Sequence, residues 1–506
     1  MPAMLPQTLD PTACWPMLRA RDRRFDGRFF VGVTSTGIYC RPICSARTPR
    51  REHCRFFGTA AAAEHGGFRP CLRCRPELAP GWASVDAPSR LAQSAAALIE
   101  EGALESGGLS GIAARLGVTD RHLRRVFDAQ FGVSPIEYAQ TQRLLLAKRL
   151  LTDTRLPVTD VALAAGFGSL RRFNDSFARR YRMAPSALRR EASVTGTAHD
   201  AAQGLRFRLA YRPPLDWAHL CGFLAARAID GVEGVAPGGG AAGAPGVYRR
   251  VLRVHGADGA LRVGWIEVTA ARGRDARRHL LELRLDPALV GAIPAALARV
   301  RRAFDLGCRP DEVAAVLGGL AAGHEGVRLP GAFDGFEIGV RAILGQQVSV
   351  AAARTLAGRF ARAFGDPVST PWPQLDRAFP TAEAVAALDA SAIGELGVTR
   401  QRARTLIGLA RAVAGGGLRL EPGADVADTL ARLTALPGIG DWTAQYLAMR
   451  ALGWPDAFPA ADVGVMKALG VATPAAAARA AARWQPWRSY AVMHLWRAGR
   501  APTSGD

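Results

Sequence analysis

A nine-residue stretch near the C-terminal end constrains the fold of this chain more than any other. It reads Leu-Pro-Gly-Ile-Gly-Asp-Trp-Thr-Ala at residues 436–444, and a run of helical composition follows it to Arg450. Gly438 and Gly440 permit a tight hairpin with positive φ, and a helix that opens after such a turn points free backbone N–H groups at an anion. Together with Thr443 they form a candidate phosphate-binding hairpin. An ordinary connection between two helices is the alternative.

A lone acid follows the hairpin. Asp462 lies in the segment Phe-Pro-Ala-Ala-Asp-Val-Gly-Val, residues 458–465. The hairpin and this segment together resemble the helix-hairpin-helix superfamily of DNA glycosylases, most closely the AlkA-type alkylbase glycosylases (DNA-3-methyladenine glycosylase II). The resemblance extends over residues 207–499 and includes the stretches 222–228 and 341–350. The alternative role for the acid is that of a helix cap.

The resemblance implies hydrolysis of an N-glycosidic bond. In the family, the acid that matches Asp462 stabilises an oxocarbenium-like sugar and orients the attacking water. Superfamily members that also cut the strand carry a hairpin lysine, where this chain has Trp442. We therefore expect a monofunctional enzyme that removes N-alkylated bases such as 3-methyladenine and leaves an abasic site.

The resemblance also implies a binding pocket for the flipped base. Trp442, Tyr446 and Trp496 match the aromatic positions of the family pocket, and electron-rich rings suit a cationic alkylated purine. Gln347 matches the residue that fills the gap in the duplex, where AlkA has leucine, and its effect on affinity is left open. Core aromatics are the alternative reading of the three rings.

Four cysteines form two short pairs, a pattern typical of tetrahedral Zn²⁺ sites in a reducing compartment. The candidate ligands are Cys40, Cys44, Cys71 and Cys74. The sequence does not decide whether Cys54 has a role at the metal site. The remaining three cysteines are better described as scattered buried residues: Cys14, Cys221 and Cys308.

The segments around these pairs resemble the N-terminal domain of the Ada family. That resemblance implies that Cys40 accepts a methyl group from a methylated DNA phosphotriester, stoichiometrically, with the other three cysteines as co-ligands. Methylation would lower the negative charge of the cluster and tighten promoter binding, which makes the site a switch. A purely structural zinc site is the alternative.

Two similar helical stretches follow, at residues 119–135 and 169–185. Each predicts a helix with apolar residues on one face and arginines between them, as in a helix that enters the major groove. The pair resembles the two helix-turn-helix units of AraC-type regulators, joined by a long helix near residues 138–151. An all-helical interaction module is the alternative. The candidate DNA-contacting residues are Arg121, Arg124, Arg171 and Arg172.

The expected fold class is multidomain and mainly α. It combines a small zinc-bound α+β domain, a paired helix-turn-helix, a small antiparallel α+β subdomain and an all-α helix-hairpin-helix glycosylase. Alternating residues predict strands at 205–211, 248–254, 261–268 and 279–285, and a Gly-rich loop is predicted at 236–246. The predicted boundaries are 1–85 for the zinc domain, 86–192 for the helix-turn-helix, 193–204 for a linker, 205–293 for the sheet subdomain and 294–506 for the glycosylase.

Composition supports a DNA-acting chain of 506 residues. The formal net charge is +21, and Arg and Lys exceed Asp and Glu in both halves. Neither a membrane span nor a signal peptide is recognisable, so a bacterial, cytoplasmic, nucleoid-associated protein is expected. The expected partners are alkylated DNA, promoter DNA and RNA polymerase. A transcription regulator with a structural zinc site and an inactive glycosylase half is the alternative function.

Overall fold

The computed structural model describes residues 9–81, 90–193, 204–238 and 245–499. Most of the predicted linker, residues 194–203, and the centre of the predicted loop, residues 239–244, lie outside the described residues. The chain forms two compact units. The first comprises Met1–Pro213, Val254–Arg262 and Ala271–Ala298, and the second comprises Pro214–Arg253, Val263–Ala270 and Arg299–Asp506.

The first unit opens with a small sheet that places the metal-binding cysteines. Its elements are α1 (Pro11–Ala20), β1 (Phe30–Val33), β2 (Ile38–Cys40), β3 (Cys54–Phe57), α2 (Ala60–His65) and β4 (Arg69–Pro70), with strand order β3-β1-β2-β4. Strand β1 is antiparallel to β2 and β3, whereas β2 and β4 are parallel, with Tyr39 opposite Pro70. Because β2 and β4 are parallel, Cys40, the last residue of β2, and Cys71, which follows β4, lie at the same end of the two strands.

Seven helices follow in the first unit: α3 (Arg90–Glu100), α4 (Ala103–Arg115), α5 (Asp120–Phe131), α6 (Pro135–Asp153), α7 (Val158–Ala164), α8 (Leu170–Tyr181) and α9 (Pro185–Ser193). The side chains of Thr119 and Ser169 cap α5 and α8 by accepting backbone N–H bonds. Gly108 interrupts α4 with φ 63° and ψ −172°. The long connecting helix α6 begins three residues before the predicted start, because Ser134 and Glu137 form a capping box.

Helices α5 and α8 bury the same kind of face. Leu123, Phe127 and Phe131 are buried on α5, and Phe173, Phe177 and Tyr181 are buried on α8. The repeat seen in the sequence is therefore a repeat of packing. The arginine-bearing faces of both helices are left exposed.

Alternating residues in the next region form strands as predicted. The elements are β5 (Leu205–Ala210), α10 (Trp217–Ala225), β6 (Glu233–Ala236), β7 (Val247–His255), β8 (Leu261–Ala270), α11 (Gly273–Ala276) and β9 (Leu280–Leu285). In the first unit β5 pairs antiparallel with β9, with Phe207 opposite Leu283. In the second unit β6 pairs antiparallel with β7, with Glu233 opposite Arg250.

The rest of the described chain is mostly helical. Its elements are α12 (Ile293–Ala303), α13 (Pro310–Leu317), α14 (Gly335–Leu344), α15 (Val350–Phe364), β10 (Asp366–Pro367), β11 (Arg377–Ala378), α16 (Ala382–Ala386), α17 (Ala390–Gly394), α18 (Arg400–Ala414), α19 (Val426–Thr434), α20 (Asp441–Arg450), α21 (Val463–Leu469), α22 (Pro474–Ala481) and α23 (Arg488–Ala498). The expectation of an all-α region needs one correction, because β10 and β11 form a short antiparallel pair. Among the described residues, no helix has the length and apolarity that crossing a bilayer requires.

Candidate active site and metal centre

Asp462 lies at the start of α21 and caps it. Its Oδ1 atom accepts the Val465 backbone N–H at 2.9 Å, so the capping role considered in the sequence is real. The same carboxylate also receives two indole N–H groups, from Trp442 Nε1 to Oδ2 at 3.0 Å and from Trp496 Nε1 to Oδ1 at 2.9 Å. Three donors therefore hold both oxygens in a fixed orientation on a half-buried side chain.

Glycine keeps the space beside this carboxylate open. A Cβ atom at Gly464 would lie 3.2 Å from Asp462 Oδ1 and 3.4 Å from Trp496 Cδ1. The first distance is shorter than ordinary van der Waals contact and the second is at its short limit, so a side chain there would require the Asp462 carboxylate to shift by a few tenths of an ångström. The glycine of the 458–465 segment thus has a local steric reason.

The three predicted pocket rings lie next to one another. Trp442 and Tyr446 stack with centroids 5.4 Å apart and planes 10° from parallel, and Tyr446 and Trp496 lie 6.4 Å apart. Phe223 adds a fourth ring, stacked on Trp496 at 6.3 Å. The structure therefore gathers the acid and the rings in one place, as the resemblance implied, while their catalytic roles remain predictions.

Two arginines border these rings, and sequence reasoning assigned neither. The Arg227 guanidinium lies 3.9 Å from the Phe223 ring centroid, and that of Arg450 lies 5.7 Å from Tyr446. Arg450 Nη1 also donates to the Tyr446 hydroxyl at 3.0 Å. Phe223 and Arg227 could have been found from the sequence, because they lie in the 222–228 stretch that resembles the family. No sequence feature singled out Arg450.

The hairpin differs from its prediction at one glycine. Gly438 has φ 88°, and a Cβ there would fall 2.1 Å from Thr405 Oγ1, so glycine is required. Gly440 has φ −93° and ψ 177°, and a Cβ there would meet nothing within 4 Å. The expectation of positive φ at both glycines is therefore wrong for Gly440, which is the extended N-cap of α20.

The hairpin is tied to the loop that carries Gln347. Gln347 is exposed and has a left-handed backbone, φ 55°. Its neighbour Gln346 donates through Nε2 to the Gly438 carbonyl at 3.0 Å and to the Thr443 hydroxyl at 3.1 Å. Thr443 is 2% exposed, so its hydroxyl serves this inward bond. The phosphate-binding role of the hairpin rests on backbone N–H groups and stays a prediction.

The four predicted metal ligands form one cluster. The sulfur atoms of Cys40, Cys44, Cys71 and Cys74 all lie within 4.8 Å of one another. Ligands of a tetrahedral zinc site at about 2.3 Å would be roughly 3.8 Å apart, so the cluster fits the ion. Cys54 lies outside it, with its thiol donating to the Arg50 carbonyl at 3.3 Å.

Four family models match successive parts of the chain. The metal binding domain of Ada matches residues 13–77, a helix-turn-helix domain 112–191, the AlkA N-terminal domain 206–334, and the HhH-GPD superfamily of base excision DNA repair proteins 340–482. The probable bifunctional transcriptional activator/DNA repair enzyme AlkA of Mycobacterium tuberculosis is 40% identical over 494 residues, which cover 96% of this chain and 95% of that protein.

The chain belongs to the family of bifunctional transcriptional activator/DNA repair enzymes. Shorter relatives match its parts. DNA-3-methyladenine glycosylase 2 of Escherichia coli is 41% identical over 290 residues, 57% of this chain and 96% of that protein. The bifunctional transcriptional activator/DNA repair enzyme Ada of Escherichia coli is 34% identical over 153 residues, 30% of this chain and 42% of that protein.

Membership of this activator/repair family confirms the predicted fold class and the zinc cofactor. Its helix-turn-helix and HhH-GPD regions make DNA the partner of both parts of the chain. The predicted arginines, Arg121 and Arg124 on α5 and Arg171 and Arg172 on α8, are all exposed. Their exposure is compatible with DNA contact and does not separate base contacts from phosphate contacts.

Proposed function

We propose that this activator/repair family member removes N-alkylated bases such as 3-methyladenine from DNA by hydrolysis and leaves an abasic site in an intact strand. The observation that carries the proposal is a carboxylate held between two indole N–H groups at the edge of stacked rings. A flipped, positively charged base stacks on the rings, because their faces attract cations. Its charge makes it a good leaving group without a general acid.

Asp462 then faces the sugar. As the C–N bond breaks, positive charge develops on the sugar, and the oriented carboxylate stabilises it electrostatically. The same carboxylate orients the water that attacks the sugar carbon. Trp442 stands where strand-cutting relatives of the superfamily have lysine, so the hairpin offers no amine for a Schiff base.

Gln347 and the hairpin hold the DNA in this account. The left-handed backbone of Gln347 projects its side chain from an exposed loop, which suits insertion into the gap left by the base. Gly438, Gly440 and the first backbone N–H groups of α20 bind a phosphate, since the opening N–H groups of a helix have no partner inside the helix. Gln346 fixes the loop and the hairpin relative to each other.

Product analysis tests the glycosylase proposal. The full chain is incubated with methylated duplex DNA, and released bases and abasic sites are counted. Asp462→Asn should lower base release by about a hundredfold or more, while Asp428→Asn, at an exposed acid paired with Arg432, should not change it. Base release by Asp462→Asn at the control rate would remove Asp462 from the catalytic site, and absence of base release by the wild type would favour an inactive glycosylase half. A protein–DNA adduct trapped by borohydride would favour a lyase.

We further propose that Cys40 is the methyl acceptor of the metal centre. Its sulfur attacks the methyl carbon of a DNA methylphosphotriester, a sulfur–carbon bond forms, the carbon–oxygen bond breaks, and the phosphodiester leaves with the electron pair. Bound zinc supplies the deprotonated state of the four sulfurs. Cys40 and Cys74 are half-buried, whereas Cys44 and Cys71 are buried. Exposure therefore leaves two candidate acceptors, and the resemblance to the Ada family selects Cys40.

Mass spectrometry tests that transfer. Methylated DNA should add a single methyl group to the peptide that contains Cys40, and Cys54→Ala should take up the methyl as the wild type does. Methylation of a different cysteine would remove the assignment. A chain that stays unmethylated with zinc bound would favour the structural-zinc alternative.

We also propose that RNA polymerase is recruited at the promoter and that the domain boundaries lie at residues 85, 192, 204 and 293. We propose that the exposed arginines of α5 and α8 contact promoter DNA. Replacing Arg171 and Arg172 by alanine should weaken promoter binding and reduce its salt dependence by about one unit per lost phosphate contact. Arg155→Ala, at an exposed residue outside both helices, is the matched control. Equal salt dependence in all three proteins would exclude phosphate contacts by α8.

A further inference from the structure

Two arginines of the first unit are almost completely buried. Arg149, on α6, is 2% exposed, and Arg212, just after β5, is 1% exposed. Buried arginine is uncommon and is found where its planar group is bonded by several acceptors. Arg149 lies in the region that matches a helix-turn-helix domain, and Arg212 in the region that matches the AlkA N-terminal domain. Each arginine donates a hydrogen bond to a residue of a different matched region.

Arg212 reaches the metal domain. Its Nε donates to the Asp26 carbonyl at 3.1 Å, and its Nη2 donates to the Gly81 carbonyl at 3.1 Å. The Asp26 carboxylate in turn accepts from Arg41 Nε at 2.8 Å. Asp26 therefore joins the AlkA region to the residue between the first two metal ligands.

Arg41 bonds one residue of the second cysteine pair. Its Nη1 donates to the Cys74 carbonyl at 3.1 Å, and its backbone N–H points at the Cys74 sulfur at 3.4 Å. A series of hydrogen bonds, some of them to backbone groups, thus runs from Arg212 through Asp26 and Arg41 to Cys74. Outer partners of this kind orient ligands and tune metal affinity.

A second path starts at Arg149. Its Nη2 donates to the Arg208 carbonyl on β5 at 2.6 Å, and its guanidinium lies 5.0 Å from the Phe207 ring. The preceding residue, Lys148, donates to the Cys71 carbonyl at 3.3 Å and to Glu77 Oε2 at 2.6 Å. Adjacent residues of one helix therefore bond the AlkA strand and a metal-ligand loop.

We propose that residues 205–213 are a docking segment that the metal and helix-turn-helix domains hold through Arg149 and Arg212, and that this segment is energetically coupled to the zinc site. The alternative is a set of domains that share a chain without sharing stability. Coupling between two sites is reciprocal. A change at Arg212 must then affect zinc, and loss of zinc must affect residues 205–213.

Zinc release from the full, zinc-loaded chain tests the first direction. A coloured chelator in excess reports the release rate. Removing a direct outer partner of a ligand typically lowers metal affinity 10–100-fold. Arg212 is two hydrogen bonds further away than Arg41, so Arg212→Ala should release zinc about three to ten times faster than the wild type. Arg212→Lys keeps the charge, gives an intermediate rate, and serves if the alanine variant does not fold.

Arg208→Ala is the matched control. It lies in the same segment, on β5, but its side chain is about half exposed and pairs with Asp275. The substitution also leaves the carbonyl that Arg149 binds. It should release zinc at the wild-type rate. Equal rates for Arg212→Ala and Arg208→Ala, whether fast or slow, would overturn the coupling.

Hydrogen–deuterium exchange tests the second direction. Chelation of zinc in the wild type should raise amide exchange in the peptide 205–213 by about tenfold or more, because local opening would no longer be opposed by the docked metal domain. Unchanged exchange in that peptide would overturn the proposal, whatever the zinc-release rates. Neither readout uses base release, so the coupling can fail while the glycosylase proposal stands, and the reverse.

Discussion

The metal centre and the Asp462 site each place one reactive atom among fixed partners, but they fix it in different ways. The four sulfurs come from two chain segments that a parallel strand register brings together, and all four are positioned to ligate one ion directly. Asp462 is held by three separate hydrogen bonds from α20, α21 and α23. Loss of one partner should therefore abolish the first site and only weaken the second.

This difference matches the chemistry proposed for each site. A sulfur that keeps the methyl group is used once, so its environment needs to hold a metal and expose one ligand. A carboxylate that acts in every turnover must return to the same orientation each time, and several modest bonds achieve that. Single substitutions should therefore give an all-or-none loss at the metal centre and a graded loss at the Asp462 site.

The largest effect is expected at the metal centre. Cys71→Ala should reduce bound zinc from about one ion per chain to nearly none, because three remaining sulfurs leave a structural site incomplete and zinc sites contribute about 10–16 kcal/mol to folding. Elemental analysis of the purified protein measures this. Cys54→Ala, outside the cluster, should keep its zinc. Full zinc occupancy in Cys71→Ala would show that the ligand set is different.

A graded loss is expected at the indole donors. Trp442→Phe and Trp496→Phe each remove one N–H bond to a charged oxygen, worth about 1.5–3 kcal/mol, so base release should fall roughly 10–100-fold in each. The measurement is the single-turnover rate on alkylated duplex DNA. Trp454→Phe is the control, because its ring N–H has no hydrogen-bond partner among the described residues. An all-or-none loss in either pocket variant would remove the contrast between the two sites.

A pH effect on the stability of the second unit is expected from Asp305. Burial raises the pKa of Asp305 to about 6, above the value of about 3.9 for an unfolded chain. The folded state therefore binds the proton more tightly, and this stabilisation is complete below about pH 4 and is lost as the pH rises through 6. Asp305→Asn should remove up to about 3 kcal/mol of pH dependence between those limits.

Denaturant unfolding at several pH values measures this dependence. Asp428→Asn, an exposed acid, should leave the slope unchanged. Burial lowers the pKa of His494 in the same unit to about 4, which gives the opposite pH slope in wild type and variant alike, so the comparison is between Asp305→Asn and the wild type. Equal pH slopes in these two proteins would show that Asp305 is ionised in the folded state.

The smallest effect is expected at Gln346. Gln346→Ala removes the two hydrogen bonds that tie the Gln347 loop to the hairpin. Neutral hydrogen bonds are worth about 1 kcal/mol each, so base release should fall about five- to thirtyfold. Gln401→Ala, at an exposed position on α18, is the control. Unchanged base release by Gln346→Ala would mean that the loop holds its position without the hairpin.

Much of both sites was readable in the sequence, for different reasons. The cysteine pairs identify a metal site because ligand spacing is local and few other structures need it. Asp462 and the three rings were found through matched segments, since their separation along the chain gives no local signal. The repeated apolar face of α5 and α8 was readable because helical periodicity is local as well.

The tertiary details were not readable. Gln346 and Gln347 are identical neighbours, and only the left-handed backbone at Gln347 turns one inward and the other outward. The hydroxyl of the buried Thr443 finds its partner in Gln346, which is 97 residues away in the sequence. Arg212 looked like one more basic residue of a basic chain, and its burial depends on carbonyls far away in sequence.

The central claim is that the Asp462 carboxylate, held by its three donors, stabilises positive charge on the sugar. Its most direct test is the binding of two duplexes that lack a base, one with a pyrrolidine ring in place of the sugar, protonated at neutral pH, and one with an uncharged tetrahydrofuran ring. The wild type should bind the cationic duplex about a hundredfold tighter or more, because it resembles the transition state, and Asp462→Asn should lose that preference. Equal preference in wild type and Asp462→Asn would contradict the account.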